Sequence, residues 1–255
     1  VPEIYIEKFN IVLAWVEYIN RLFGAVVGLV ILLSCFFAYL YFKKNKHIYI
    51  PILMALILTI IEGWLGSMLV HTVLDPITIT LHLLLALIII GLIIYSSIRA
   101  YIIIKGNFEL NSNYPQRIKW LIFSLITCMV IEIIIGTEIR GALDMSRKDN
   151  PLIKGAILLK MLGSFKYAHT ILGILLISIT YYLRKILINL ELSCSRLMLF
   201  SVNSMFVIFF LQILSGEFLV FFDVKPVIQL FHMWFSSLLI GLGVVQYTCF
   251  KISKI

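Results

Sequence analysis

Residues 60–82 read IIEGWLGSMLVHTVLDPITITLH, and residues 210–232 read FLQILSGEFLVFFDVKPVIQLFH. Each stretch has an acid or amide residue four positions before a glycine, a proline ten positions after that glycine and a histidine six positions further on. These residues are Glu62, Gly66, Pro76 and His82 in the first stretch, and Gln212, Gly216, Pro226 and His232 in the second. Identical spacing throughout both stretches indicates an internal repeat of one structural unit.

Both stretches lie in a chain that is far more apolar than a soluble domain. Of its 255 residues, 62% are hydrophobic and 13% are charged, whereas soluble domains average about 45–50% and about 25%. Seven apolar runs reach the roughly 20 residues that a membrane-spanning helix needs. They lie near 12–42, 49–73, 77–99, 118–139, 166–188, 197–222 and 227–250. The predicted fold class is an all-α integral membrane protein, since a porin-like barrel consists of short alternating strands.

The repeat extends upstream of each stretch. Tyr18-Ile19-Asn20 followed by Gly24 resembles Tyr167-Ala168-His169 followed by Gly173. Asn20 precedes His82 by 62 positions, and His169 precedes His232 by 63. The two copies therefore run in the same direction, which predicts parallel halves related by an axis along the membrane normal.

One more span precedes the second copy, near Trp120 to Arg140, and it carries Glu132 and Gly136 four positions apart. The first copy has no such span before it. The repeat therefore predicts a missing first helix and a parent fold of eight helices in two four-helix bundles. We expect an incomplete N-terminal bundle in residues 1–110 and a C-terminal four-helix bundle in residues 111–255.

The Lys and Arg residues lie between the apolar runs, so the net charge of +8 indicates topology and not a nucleic-acid surface. Twelve lie on one side, in predicted loops near 43–47, 99–119 and 184–196 and in the C-terminal tail, and eight on the other, six of them in a predicted loop at 140–166. The predicted orientation has the N-terminus outside and the C-terminus in the cytoplasm. A start at Val1 without a signal peptide suggests processing or a longer protein.

Three histidines, His82, His169 and His232, lie within apolar helices, where polar side chains are costly and usually face a bundle interior. His169 and His232 are expected on neighbouring helices of one bundle, where two facing imidazoles can ligate one haem iron axially. Small residues nearby are expected to leave room for the macrocycle: Gly173, Gly216, Ser236 and Ser237. Hydrogen bonding to a neighbouring helix is the alternative for each histidine, but a histidine pair at repeat-matched positions favours haem.

The first copy differs because Asn20 stands at the position that matches His169. A haem beside His82 would have one strong ligand and one open or weakly held position, which suits chemistry, whereas a six-coordinate iron suits electron transfer. Glu17 shares a helix face with Asn20. Its carboxylate is a candidate for moving protons, and the alternative is an interfacial residue at the start of a helix.

Arg21 and Arg140 are candidates to pair with haem propionates, or equally to be residues that extend toward the membrane surface. His47 and His71 are expected to be solvated and not ligands. The cysteines lie in or beside apolar runs and are expected to be small buried hydrophobes. They are Cys35, Cys128, Cys194 and Cys249.

An ordered set of motifs resembles the haem A synthase family. Trp15-Val16-Glu17-Tyr18-Ile19-Asn20-Arg21-Leu22-Phe23-Gly24 resembles the glutamate-containing second helix of that family. Glu62-Gly63-Trp64-Leu65-Gly66 through Pro76 to His82 resembles its third and fourth helices. Ile135-Gly136-Thr137-Glu138-Ile139-Arg140 is similar to the fifth, and Phe165-Lys166-Tyr167-Ala168-His169 and Gln229-Leu230-Phe231-His232 are similar to the sixth and eighth. The resemblance covers nearly the whole chain.

The resemblance implies an eight-span enzyme of the respiratory membrane that oxidises the C8 methyl group of haem O to a formyl group, giving haem A for cytochrome c oxidase. It implies haem b between His169 and His232, substrate haem O near His82, with Asn20 and Arg21 beside it, and Glu17 as the catalytic carboxylate. Expected partners are haem O synthase, cytochrome c oxidase assembly, an external electron donor or acceptor and the lipid bilayer. Nucleic acid is not expected, and homo-oligomerisation is left open.

Two alternatives come from other classes of protein. The first is a degenerate family member that is a non-catalytic, haem b-binding electron carrier or assembly factor. The second is a small-solute transporter built on a repeat. The transporter is less favoured because the sequence lacks a pair of helices broken by Gly or Pro at mid-membrane.

Overall fold

The computed structural model describes residues 11–71, 76–105, 114–150, 152–190 and 196–252. Regular structure in these residues consists of eight helices. They are α1 (Ile11–Phe42), α2 (Lys46–His71), α3 (Pro76–Lys105), α4 (Gln116–Asp149), α5 (Gly155–Met161), α6 (Phe165–Asn189), α7 (Arg196–Phe221) and α8 (Pro226–Ile252). All except the short α5 are long and apolar enough to cross a membrane. The seven apolar runs of the sequence are thus seven helices, and the chain is an all-α, multi-pass membrane protein.

Several helices continue beyond the apolar runs. α2 begins at Lys46 and includes His47, α3 continues past Arg99, and α4 continues to Asp149. The prediction that these residues lie in loops was wrong, as was the assignment of the whole segment 140–166 to a loop. Hydropathy marks where the hydrocarbon ends, whereas long charged side chains are compatible with a helix that continues into water.

Two prolines begin returning helices: Pro76 is the first residue of α3, and Pro226 is the first residue of α8. The connection 72–75 lies outside the described residues. In the turn before α8, Asp223 and Val224 have φ values of 62° and 54°. Arg147, near the end of α4, donates hydrogen bonds to both of their carbonyl oxygens, at 3.2 and 3.3 Å. α4 therefore holds the turn between α7 and α8.

The C-terminal helices form a ring around one core. α4 contacts α6, α6 contacts α7, α7 contacts α8, and α8 contacts α4. Side chains from all four helices fill the centre, including Leu125, Leu183, Met205 and Leu239. In this arrangement α6 and α8 lie diagonally opposite each other, so side chains that they direct inward meet across the core.

The N-terminal helices form a row, in which α1 packs on α2 and α2 packs on α3. α3 also packs on α8 and α4, and so joins the row to the ring. By the repeat, α1, α2 and α3 correspond to α6, α7 and α8. Among the described residues, no helix packs beside α1 and α3 in the way that α4 packs beside α6 and α8.

Candidate functional site

The first intramembrane histidine, His82, meets an acidic side chain of the preceding helix. Glu62 and Gly66 lie one turn apart on the same face of α2, and His82 lies in the second turn of α3. Nδ1 of His82 is 3.2 Å from Oε1 of Glu62. A Cβ atom added at Gly66 would lie 3.4 Å from Cε1 of His82, so the glycine lets the imidazole lie against the backbone of α2.

The same arrangement recurs between α4 and α6. Nδ1 of His169 is 3.2 Å from Oε1 of Glu132. A Cβ atom added at Gly136, one turn after Glu132, would lie 3.3 Å from Cε1 of His169. The repeated spacing therefore corresponds to a structural unit of three residues, in which an acid and a glycine of one helix contact a histidine of another.

The third copy lies between α7 and α8 and has an amide in place of the acid. Nε2 of Gln212 is 3.1 Å from Nε2 of His232 and donates to Oγ of Ser236 at 2.8 Å. The buried Ser215 places its Oγ 2.9 Å from Nδ1 of His232. A Cβ atom at Gly216 would lie 3.4 Å from Cε1 of the same ring.

These contacts favour one tautomer at all three histidines. Nδ1 faces a carboxylate oxygen in His82 and His169 and a hydroxyl oxygen in His232, so a proton on Nδ1 is favoured and Nε2 keeps its lone pair. A proton on Nδ1 and a lone pair on Nε2 are typical of metal-ligating histidines, and in His232 this lone pair faces the amide of Gln212. In both acid contacts the N–H is poorly aligned, and Oε2 of Glu62 and Oε2 of Glu132 are buried without a hydrogen-bond partner among the described residues.

His169 and His232 face each other across the ring of four helices. Their ring centroids are 6.2 Å apart, with an angle of 54° between the ring planes. Metal–imidazole bonds are roughly 2.0–2.1 Å long, so two imidazoles on opposite sides of one ion have centroids about 6 Å apart. The pair fits two axial ligands of one iron. The two helices are diagonal and not neighbouring, so that part of the prediction was wrong.

The donor set indicates what kind of metal centre fits. Within the described part of the chain, no group of three or more His, Cys, Asp or Glu side chains could hold a bare ion. Two histidines suffice only when the other ligands come from a macrocycle, as in haem. Gly173 and Gly216 were expected to leave room for that macrocycle. Instead, a Cβ at Gly173 would lie 3.3 Å from Glu132, and Gly216 contacts His232, so both glycines make room for polar side chains.

The described contacts of the predicted α1 residues are within α1 and do not involve His82. Arg21 donates to Oε1 of Glu17 through Nη2 at 2.7 Å and Nε at 3.1 Å, and both side chains are about half exposed, at 57% and 51%. Asn20 is exposed on the same helix. No hydrogen bond or ion pair between described residues joins Glu17 or Asn20 to His82.

Arg140 lies beside the histidine pair. Its Nη1 is 3.3 Å from Sδ of Met233, the residue after His232, and its Nε is 3.7 Å from Oδ2 of Asp144.

The remaining predictions concern isolated residues. His47 is exposed at the start of α2, and the side chain of His71 and the whole of Cys194 lie outside what is described. Cys35 and Cys249 are buried, and Cys128 is half-buried.

Sequence reasoning missed the histidine partners. Glu62, Glu132 and Gln212 were identified only as positions of the repeat, and Ser215 was not predicted to contact a histidine. The signal was present, since an acid or amide recurs at a constant distance before a glycine in each helix that precedes a histidine helix. A polar side chain at membrane depth needs a partner, and the repeated histidine was the available one.

The fold and site define a class: multi-pass α-helical membrane proteins with two imidazoles facing each other inside a four-helix core. The chain belongs to the cytochrome oxidase assembly protein family COX15-CtaA, whose model matches residues 3–244. A protein of Ehrlichia canis named "Heme A synthase" is 25% identical over all of this chain and 77% of the relative. The protein of that name in Wolbachia pipientis subsp. Culex pipiens is 28% identical, over 89% of this chain and 71% of the relative. No solved structure matches the chain.

Proposed function

We propose that this protein is a haem A synthase, which oxidises the C8 methyl group of haem O to a formyl group and so supplies haem A for cytochrome c oxidase. The single observation that carries the proposal is the facing pair His169 and His232, 6.2 Å apart in the core of a four-helix ring. Family membership and relatives named "Heme A synthase" support it.

In this proposal His169 and His232 hold a haem b through their Nε2 atoms. Bound there, haem b would pass electrons singly, since an iron with two strong axial ligands has no position for a substrate. Glu132 and Ser215 orient the two imidazoles from their Nδ1 sides. Arg140, beside Met233, would carry a positive charge near the haem propionates.

The N-terminal half would bind haem O at His82. Glu62 holds Nδ1 of His82 and leaves Nε2 for the substrate iron. Asn20 occupies the position that matches His169, so one face of that iron would stay open. Glu17 would accept protons as the methyl group is oxidised, and Arg21, already paired with Glu17, would bind a propionate.

Oxidising a methyl to a formyl group takes up an oxygen atom and releases electrons and protons, so the reaction needs an electron acceptor outside this chain. We propose that the protein lies in the respiratory membrane with the end of α8 in the cytoplasm. The start of α2 and the ends of α3, α6 and α8 are basic, and basic helix ends on one side of a membrane protein favour the cytoplasmic side. A reporter fused to the C-terminus that is active only in the cytoplasm tests this orientation.

The test of function is production of haem A. The chain is expressed in cells that make haem O but lack a haem A synthase, and the extracted haems are separated by chromatography. We expect hydroxylated or formylated haem with the wild-type chain and none with His82→Ala, while the matched control His47→Ala stays active. A b-type spectrum without any oxidised haem would reject the enzyme and leave the electron carrier or assembly factor. Absence of bound haem would reject both.

A further inference from the structure

A cavity of about 520 Å³ lies where α2 begins and where α3 and α8 end. Its polar lining comes from all three helices, and we call it the basic cavity: Lys46, His47, Tyr95, Tyr247 and Lys251. The rest of its wall is apolar, with Ile50, Leu92 and Val244. It lies at the junction of the N-terminal row and the C-terminal ring, at the opposite end of α2 from Glu62.

A buried cation lies next to this cavity. Arg99, one turn after Tyr95 on α3, is 8% exposed, and its guanidinium carbon is 5.1 Å from the centre of the Tyr95 ring. Nε and Nη2 of Arg99 are buried and find no acceptor among the described residues. A charged guanidinium is costly to bury unless its donors and charge are paired. Among the described residues, these two donors therefore have no anionic partner.

A second cation lies against the same ring. Nζ of Lys251 is 5.5 Å from the centre of Tyr95 and 5.7 Å from that of Tyr247. The carboxylates that the structure describes lie at the middle of a helix, in the half of a helix away from this end, or in the turn before α8. They are Glu17, Glu62, Glu132, Glu138, Asp144, Asp149, Glu217 and Asp223. Within the described part of the chain, no carboxylate therefore neutralises Arg99 and Lys251.

We propose that the basic cavity binds the phosphate group of an anionic phospholipid. Lys251 and Lys46, which line the cavity, would contact the phosphate oxygens, and the buried Arg99 beside the Tyr95 ring would add positive charge next to them. The apolar residues Ile50, Leu92 and Val244 fit acyl chains and favour a lipid over a soluble anion. Basic pockets between membrane helices are suited to such headgroups. The lipid would link α2 and α3 to α8 and so stabilise the contact between the two halves.

The test uses the full-length protein, purified in detergent and freed of lipid. Phosphatidylglycerol, phosphatidylcholine or inorganic phosphate is added, and the unfolding temperature and the lipid retained in native mass spectrometry are measured. We expect phosphatidylglycerol alone to raise the unfolding temperature and to be retained. Its affinity should fall about fivefold in Lys251→Gln, as expected for one charge near a lipid headgroup, and further in Arg99→Gln.

Lys119→Gln is the matched control, since Lys119 is an exposed cation at the same end of the molecule that packs on Trp120. Lys251→Gln keeps the test independent of Arg99, whose replacement could impair folding. Equal effects of the two lipids, an equal effect of inorganic phosphate, or unchanged affinity in Lys251→Gln would overturn the proposal. Haem plays no part in this test, so its outcome is independent of the proposed enzyme activity.

Discussion

At the scale of single residues, the two facing histidines are unequal. His169 contacts the carboxylate of Glu132, whereas His232 contacts the hydroxyl of Ser215 and the amide of Gln212. A carboxylate that accepts the Nδ1 proton makes an imidazole a stronger electron donor to a metal than a neutral acceptor does. An iron between them would therefore have one electron-rich ligand and one ordinary ligand.

Glu132→Gln replaces the carboxyl group with an amide and keeps the length of the side chain. We expect haem to stay bound and its midpoint potential to rise, because a weaker donor stabilises the ferric state less. Gln212→Glu places a carboxyl group beside Nε2 of His232, and a negative charge there should lower the potential. Redox titration of the b-type spectrum measures both, and equal potentials in all three proteins would contradict the unequal roles. Glu132→Ala should lower haem affinity about 10–100-fold, as is usual when the residue that orients a ligand is lost.

At the scale of helices, the repeated unit explains why glycine follows the acid or amide by one turn. The acid or amide contacts the ring, and the glycine lets the same ring lie against its helix, so one helix face positions the histidine in two ways. Three helix pairs share this design, α2 with α3, α4 with α6, and α7 with α8. The histidine is therefore positioned by a neighbouring helix and not by its own.

Gly136→Ala tests this positioning. Its new methyl group would lie 3.3 Å from Cε1 of His169, so the ring must move by a few tenths of an ångström and lose its alignment with His232. We expect less haem to be retained after purification, measured by the ratio of Soret to protein absorbance. Gly63→Ala is the matched control because its methyl group meets nothing within 4 Å. It should keep haem and stabilise α2 by about 0.5–1 kcal/mol.

At the scale of the whole molecule, α8 belongs to both halves. Gly241 and Gly243 lie on it two positions apart, where a Cβ would lie 3.2 Å from Ile94 of α3 and 2.9 Å from Met129 of α4, respectively. Without a strong hydrophobic drive between helices in lipid, close packing at small residues is what holds membrane helices together. The two glycines thus let α8 join the row to the ring.

Gly243→Leu should loosen this junction. A leucine side chain would overlap with Met129 and Ile126, and overpacking of this kind costs about 1–3 kcal/mol. We expect a lower unfolding temperature in detergent and earlier loss of the Soret band on heating. Gly63→Leu introduces the same side chain at an open position and should change neither. Equal stability of the two variants would show that the approach of α8 to α4 tolerates a large side chain.

Much of this molecule follows from local composition and spacing. A span is a local property, since about 20 apolar residues must form a helix to satisfy their backbone in lipid. The sequence alone therefore indicated the seven long helices, the prolines at the starts of α3 and α8, and the inward-facing histidines at 82, 169 and 232. Charged residues beside the apolar runs did not show where the helices end, because Lys46, His47 and Arg99 lie within helices.

The sequence by itself determined the class of protein, the number of long helices and the repeat that brings His169 and His232 to matched positions. Only the tertiary structure decided that these residues face each other diagonally, that Glu132 and Gln212 are their different partners, and that Arg99 is buried at the junction of the two halves. The reason is physical: hydropathy depends on residues along one helix, whereas a contact between helices depends on how each is rotated and how closely it packs.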